Sequence, residues 1–243
     1  EDAWKITTGS EEVIVAVIDT GIRYTHNDLK TNMWKNSDEI PDNGIDDDRN
    51  GYIDDVYGIN AIRGYNNPGD PMDDHGHGTH CAGTIGAQAN GGGKIVGVAW
   101  NLKLMALKFL KWNNYGWMSD SVTCIDYAIA NGAHVINASY SSPSYSYNEY
   151  FAIKRAQQAG IVFVAAAGNE KKDNDRRPSY PNSYNLENII SVSAINRFGG
   201  LAPFSNWGLQ TADIGAPGVK ILSSFYTSDS AYVSWNGTSM AAP

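Results

Sequence analysis

Four short segments of this 243-residue chain carry side chains that could do chemistry together. Val17-Ile18-Asp19-Thr20-Gly21 places a carboxylate at the end of an apolar run, and His77-Gly78-Thr79-His80-Cys81-Ala82-Gly83 places an imidazole among glycines. Ala165-Ala166-Ala167-Gly168-Asn169-Glu170 ends another apolar run on a carboxamide, and Asn236-Gly237-Thr238-Ser239-Met240-Ala241-Ala242-Pro243 offers a hydroxyl. Each segment alone has an ordinary reading as a cap, loop filler or turn. As a set, the residue types are those of nucleophilic acyl transfer. A serine hydroxyl is a poor nucleophile until an imidazole takes its proton, and the imidazole needs a carboxylate to fix its tautomer and stabilise its charged form. The oxyanion that then forms needs an N–H donor such as a carboxamide supplies. Three imidazoles, His75, His77 and His80, compete for the central role, and their spacing also permits a metal cluster.

These groups come together only if the chain between them is regular. Val13–Ile18, Leu104–Leu110, Val135–Asn137, Ile161–Ala166 and Ile189–Val192 are apolar on both faces and bounded by polar or glycine-rich segments, so they read as buried strands. Asp120–Asn131 and Tyr147–Ala159 read as helices between them, stopped by Gly132 and Gly160. Strand, helix, strand in sequence predicts an α/β fold with a parallel sheet covered on both faces, whose sites gather at the carboxyl ends of strands. Asp19 stands at one such end and Asn169 just past another. There are no repeats or low-complexity linkers, so residues 1–243 read as one domain. The loops Trp34–Tyr57 and Lys171–Asn185 are long for a compact domain and so read as functional or mobile.

A net charge of −8 and a pI near 5.0 argue against nucleic acid or an anionic membrane as the main partner. Asp38, Glu39, Asp42, Asp46, Asp47, Asp48, Asp54 and Asp55 put eight of the 26 acids into one stretch, which repels itself unless solvated or bound to cations. No apolar run approaches the roughly 18 residues of a membrane span, and no basic-then-apolar leader opens the sequence. Cys81 and Cys124 allow one disulfide at most and fit no zinc spacing.

In the order Asp, His, Asn, Ser, the four segments resemble the subtilase family of serine proteases, and the resemblance spans nearly the whole chain. It implies a subtilisin-like fold in which Ser239 attacks, His77 is the base, Asp19 orients His77, and Asn169 with the Ser239 N–H receives the oxyanion. The family pattern puts the base first in His-Gly-Thr-His, which makes His80 a core histidine and His75 an exposed extra. Cys81 has a counterpart in the proteinase K-like branch, beneath the catalytic histidine, and as a residue it reads as a small buried hydrophobe. The implied substrate is a protein or peptide lying as an added strand between Asn114-Tyr115-Gly116 and Ser139-Tyr140-Ser141. The primary pocket is then walled by Ser139–Ser141 and Ala166–Asn169, including Gly168, with its base near Ser179. Tyr140, Ser141 and Ser142 depart from the common Ser-Leu-Gly-Gly pattern and make this lining bulkier and more polar. The family also implies an inhibitory propeptide and a secreted location, extracellular or in the lumen of the secretory pathway. In the family, the chain beyond Ser-Met-Ala-Ala-Pro continues as a long helix through the domain. The sequence given stops at Pro243, so the expectation is that this C-terminal part of the domain is missing from it.

Calcium is the implied cofactor, at two places. Asp28, Asn90 and Gly91-Gly92-Gly93 overlie the family's calcium loop. Asp46, Asp48, Asn50, Gly51, Tyr52 and Asp54 stand at EF-hand spacing, but the twelfth position is Tyr57 rather than glutamate, which leaves Asp55 or a neighbouring loop to supply a ligand. Similar insertions occur in apicomplexan and some bacterial subtilases. Activity should rise as His77 loses its proton, in the region of about pH 6–7.5.

Overall fold

The computed structural model describes residues 2–65, 67–89 and 93–243. After a 3-10 turn at Ala3–Lys5, strands and helices alternate: β1 (Gly9–Asp19), β2 (Gly58–Asn60), α1 (His77–Gly86), β3 (Asn101–Lys108), α2 (Met118–Ala130), β4 (Val135–Ala138), α3 (Tyr147–Gln158), β5 (Val162–Ala166), β6 (Ile189–Ile195) and β7 (Ile214–Pro217). A hairpin, β8 (Ile221–Phe225) and β9 (Ala231–Trp235), and a short helix α4 (Thr238–Ala241) complete the chain.

The seven strands β1 to β7 form one sheet in the order β2-β3-β1-β4-β5-β6-β7, every neighbouring pair parallel. Successive side chains of a strand face opposite ways, so each strand feeds two cores. Ala16 and Ile18 of β1, with Met105 and Leu107 of β3, pack beneath α2 and α3 alongside Ile125, Ile153 and Phe163. Val15, Val17, Leu104 and Ala106 pack on the other face with Cys81, Ala82 and Ile85 of α1 and Met240 of α4. Burying side chains such as Ile18, Leu107 or Phe163 contributes about 1.5–3 kcal/mol each. Helices thus cover both faces, as the apolar runs predict. The two cysteines fall in opposite layers, both free and buried, and form no disulfide.

Helix ends follow the sequence closely. Gly132 and Gly160, the two stop residues, have φ of 70° and 78°, the left-handed conformation that ends a helix without a Cβ penalty. At the start of α3 the Ser146 hydroxyl accepts the Glu149 N–H. The sequence gives less warning of β2, which has only three residues, of the largely exposed β7, and of the half-buried hairpin.

The chain adds β3 on one side of β1 and β4 on the other. That reversal opens a crevice at the carboxyl end of β1, where ligands of open α/β sheets bind. Asp19 is the last residue of β1.

Candidate active site

Each element delivers one group to this crevice. Asp19 is fully buried, His77 opens α1, and Ser239 lies in α4, both nearly buried. Both carboxylate oxygens of Asp19 lie 2.8 Å from His77 Nδ1, which donates its N–H, and Asp19 Oδ1 also accepts the Thr20 N–H at 2.7 Å. The Thr20 hydroxyl accepts the Gly78 N–H, tying the end of β1 to the first turn of α1. Gly78 is required there, because a Cβ would collide with the Gly21 carbonyl. Burial opposes a charge on His77, but the charge and hydrogen bond of Asp19, helped by Asp73, outweigh it and hold the imidazole above its ordinary range.

The loop ahead of His77 is organised by Asp73. Its Oδ1 accepts the N–H groups of His75 and Gly76, and its Oδ2 accepts the Thr79 N–H and hydroxyl. Lys108, at the end of β3 and in register with Asp19, is 1% exposed. Its ammonium donates to the carbonyls of Thr20 and Leu110 and to the Asp74 carboxylate, at 2.6, 3.0 and 2.6 Å. Sequence reading passes over Lys108 because a lysine inside an apolar strand looks like its solvated end; only the register reveals it.

Ser239 Oγ donates to the Ser139 carbonyl and Ser139 Oγ donates to the Ser239 carbonyl, both at 3.0 Å. Ser239 and His77 line the same cleft. Asn169 Oδ1 accepts the N–H and hydroxyl of Thr238 at 2.9 and 3.1 Å, which fixes the carboxamide and leaves its NH2 as the free donor. The turn that presents Asn169 is braced by Asn206. Its carboxamide oxygen accepts the N–H groups of Glu170 and Lys172, and its NH2 donates to the Ala167 carbonyl.

The cleft holds about 650 Å³. Of the expected substrate-binding residues, Asn114, Tyr115, Gly116, Ser139, Tyr140, Ser141 and Ala166 line it, together with His77, Asn169 and Ser239. Phe109, Leu110, Trp117 and Met118 join them, unforeseen. Gly168 and Ser179 differ from expectation. Gly168 packs with φ of 105° against the Asn206 carboxamide, and Ser179 is buried in a turn closed by the Ser183 N–H onto its carbonyl, so neither reaches the cleft surface.

The competing histidines separate clearly. His80 is fully buried, donates from Nε2 to the Ile221 carbonyl (3.1 Å), and stacks on Trp235 at 5.2 Å; burial brings it down to about 4. His75 is partly buried rather than exposed, its ring 6.4 Å from that of His77. Among the described residues the three do not gather as a ligand set; the group around His77 is Asp19 and Cys81. Cys81 Sγ donates to the Ser239 carbonyl at 3.4 Å, and burial pushes its thiol well up, which makes it a packing residue.

At the first expected cation site, Asp28 is fully buried, its Oδ2 takes the Tyr232 hydroxyl at 2.6 Å, and its buried Oδ1 has no hydrogen-bond partner among the described residues. That oxygen faces Gly93, where a Cβ would fill the space. An oxygen-seeking cation fits this donor set; Asn90, Gly91 and Gly92 lie outside the described residues. In the acidic loop the structure brings together Glu39, Asp46 and Asp48, with ligand oxygens within 4.8 Å of one another. Glu39, seven residues upstream of Asp46, was not foreseen. Asp54 instead accepts the N–H groups of Asn43 and Gly44, and Asp55 accepts from Tyr127 and Asn50. The Tyr52 ring packs edge-on against Tyr127, so only its backbone carbonyl could serve a cation.

Comparison with known proteins agrees with this geometry. A family model described as "Subtilase family" matches residues 10–243. "Subtilisin-like protease 1" of Plasmodium vivax is 38% identical over 247 residues, covering 94% of this chain and 38% of that protein. "Thermophilic serine proteinase" of Bacillus sp. (strain AK1) is 38% identical over 241 residues, covering 99% of this chain and 52% of that one. The chain therefore spans between a third and about half of the length of these relatives. A crystal structure of a cold adapted subtilisin-like serine proteinase superposes with a TM-score of 0.74 at 28% identity, covering 96% of this chain and 71% of that one.

Proposed function

The chain belongs to the subtilase family, and on that premise we propose that residues 1–243 form part of the catalytic domain of a serine endopeptidase working through Asp19, His77, Asn169 and Ser239. The observation that carries the reading is the bidentate placement of His77 Nδ1 on buried Asp19, which leaves Nε2 as the face of the ring able to take a proton. A peptide entering as an added strand between 114–116 and 139–141 supplies main-chain partners and brings its carbonyl to Ser239. The Ser239 hydroxyl turns from the Ser139 carbonyl and attacks as its proton passes to His77 Nε2. Asp19 stabilises the imidazolium, and the oxyanion takes the Asn169 NH2 and the Ser239 N–H. His77 returns the proton to the leaving amine, and water, deprotonated by the same ring, resolves the acyl-enzyme.

Calcium belongs to the same reading. Asp28, with Asn90 as the family resemblance implies, would hold one ion, and Glu39, Asp46 and Asp48 with the Tyr52 carbonyl another. Such ions neutralise clustered carboxylates and stabilise the folded state they bind. The inhibitory propeptide, protein substrates and secreted location implied by the family complete the proposal. Among the described residues no helix is long and apolar enough to cross a membrane. Fluorophosphonate labelling of the protein and of Ser239→Ala tests it: the first should label and cleave peptides and the second do neither. Undiminished peptidase activity in Ser239→Ala would overturn the assignment.

A further inference from the structure

Glu149 is fully buried, and it does not touch Ser239, His77 or Asn169. Its position in Ser146-x-x-Glu149 is that of a capping box, in which the glutamate reaches back to the N–H of the capping serine. Here the Ser146 N–H is taken by the Tyr184 hydroxyl at 3.1 Å, and the carboxylate turns inward. Oε1 meets the Tyr140 hydroxyl at 3.1 Å and Oε2 the Tyr184 hydroxyl at 2.9 Å; Ser121 Oγ lies 2.6 Å from the same Tyr140 hydroxyl. Burial pushes this carboxyl up to about 7, against the opposing effect of those hydroxyls. A buried acid is a net cost to folding, so what it organises matters.

It joins two chain segments. Tyr140 lies in the 139–141 stretch beside the cleft, and Tyr184 closes the loop that follows Ser179. The same segments are paired at Ser142 and Tyr180, through N–H to carbonyl bonds of 2.7 and 2.8 Å. Tyr140 therefore has its ring at the cleft and its hydroxyl tethered behind the wall. The ring meets Phe109 edge-on at 4.7 Å, and both line the cleft with Leu110 and Met118. A tethered ring cannot swing aside, which limits the room in the part of the cleft that these four residues line.

We propose that Glu149 is a positioning residue for substrate selection, holding Tyr140 in place so that the part of the cleft lined by Phe109, Leu110, Met118 and Tyr140 accepts small aliphatic substrate side chains over aromatic ones. This rests on the protease reading and specifies what the cleft admits. Pocket-size discrimination of this kind is worth roughly 10-fold or more in kcat/KM.

The test is a set of quenched peptides carrying Val, Leu or Phe in turn at each of the four positions before the scissile bond, assayed with the wild type, Glu149→Leu and Glu149→Gln. Loosening Tyr140 in Glu149→Leu, where Ser121 alone still meets its hydroxyl, should raise the Phe-to-Val ratio of kcat/KM at one position by about 10-fold. Glu149→Gln, whose amide can still engage both hydroxyls, should hold the ratio near the wild-type value. A general loss of packing would lower all peptides together and leave every ratio unmoved, which overturns the proposal. If Glu149→Leu does not fold, Tyr140→Phe removes the hydroxyl that Glu149 and Ser121 hold and must move the same ratio; an unmoved ratio there overturns the proposal as well. A wild type that cleaves no peptide overturns the protease reading and this proposal with it, whereas wild-type cleavage with unmoved ratios overturns this proposal only.

Discussion

Asp19 and Asp46 are both aspartates whose oxygens accept backbone N–H bonds, yet they stand in differently built regions. Asp19 ends a central strand, faces one imidazole and accepts the Thr20 N–H, while the Thr20 hydroxyl takes the Gly78 N–H and the Thr20 carbonyl takes the Lys108 ammonium, so neighbouring strand and helix ends are held in place. Asp46 accepts the N–H groups of Asn50 and Gly51 and has Glu39 and Asp48 as neighbours, in a loop without a helix or strand. In the first region charge is balanced by the protein's own groups. In the second, carboxylates converge on one another, and Asp42, Arg49 and Asp54 add non-glycine left-handed conformations. The proposed catalytic centre is therefore organised by topology, whereas the acidic loop, on the proposed reading, depends on the cation it holds.

Changes in the first region should have the largest effects. Ser239→Ala should cut kcat by about 10⁶, the scale seen for nucleophile loss in a related subtilisin, while the melting temperature stays close to that of the wild type. Asn169→Ala should cost about 10²–10³ in kcat with little change in KM, because it removes a donor used only when the oxyanion forms; here too the reference case is a subtilisin. A KM effect larger than the kcat effect would make Asn169 a substrate-binding residue instead.

The second region should respond to ions rather than to the nucleophile. A chelator should lower the melting temperature, each calcium site contributing about 2.7 kcal/mol when the free ion is at 100 times its Kd. Glu39→Gln should remove part of that calcium-dependent stabilisation while leaving the chelated protein's melting temperature nearly unchanged. Equal melting temperatures with calcium and with chelator would sink the cation reading of both sites.

Glu149 gives a smaller, pH-dependent contrast. Its folded-state value is raised from 4.5 to about 7, so between these values the folded protein binds more protons than the unfolded chain. Stability from this group is fully present below about pH 4.5 and is lost as pH rises through about 7. The loss amounts to about 3 kcal/mol. Glu149→Gln should therefore gain on the wild type in chemical denaturation as pH rises from 5 to 8, and a constant difference across that range would contradict the assignment. The mildest effect concerns His77, whose raised value places the rise of kcat/KM with pH above the ordinary imidazole midpoint of about 6.5.

The sequence reveals what regular elements and short motifs encode. Apolar runs mark the central strands because a parallel sheet buried on both faces needs them, and Gly132 and Gly160 mark helix ends because only glycine sits there without strain. Asp19, His77, Asn169 and Ser239 are singled out in the sequence by four short motifs in the family's order, and the structure places Asp19 at the end of β1, His77 at the start of α1, Asn169 just past β5 and Ser239 in α4. Lys108, Glu39 and Glu149 are not, since their roles come from partners far along the chain: Thr20 and Asp74, Asp46 and Asp48, Tyr140 and Tyr184. Gly168 and Ser179 differ from what the family resemblance implies, because local turns fold both inward, away from the cleft lining.

The most direct measurement of the central claim is the site and pH dependence of fluorophosphonate labelling, read by peptide mass mapping. One adduct is expected, on Ser239, formed at a rate that rises as His77 loses its proton, absent in Ser239→Ala and strongly slowed in Asp19→Asn. An adduct on another residue, or labelling of Ser239 at an unchanged rate in Asp19→Asn, would contradict the claim.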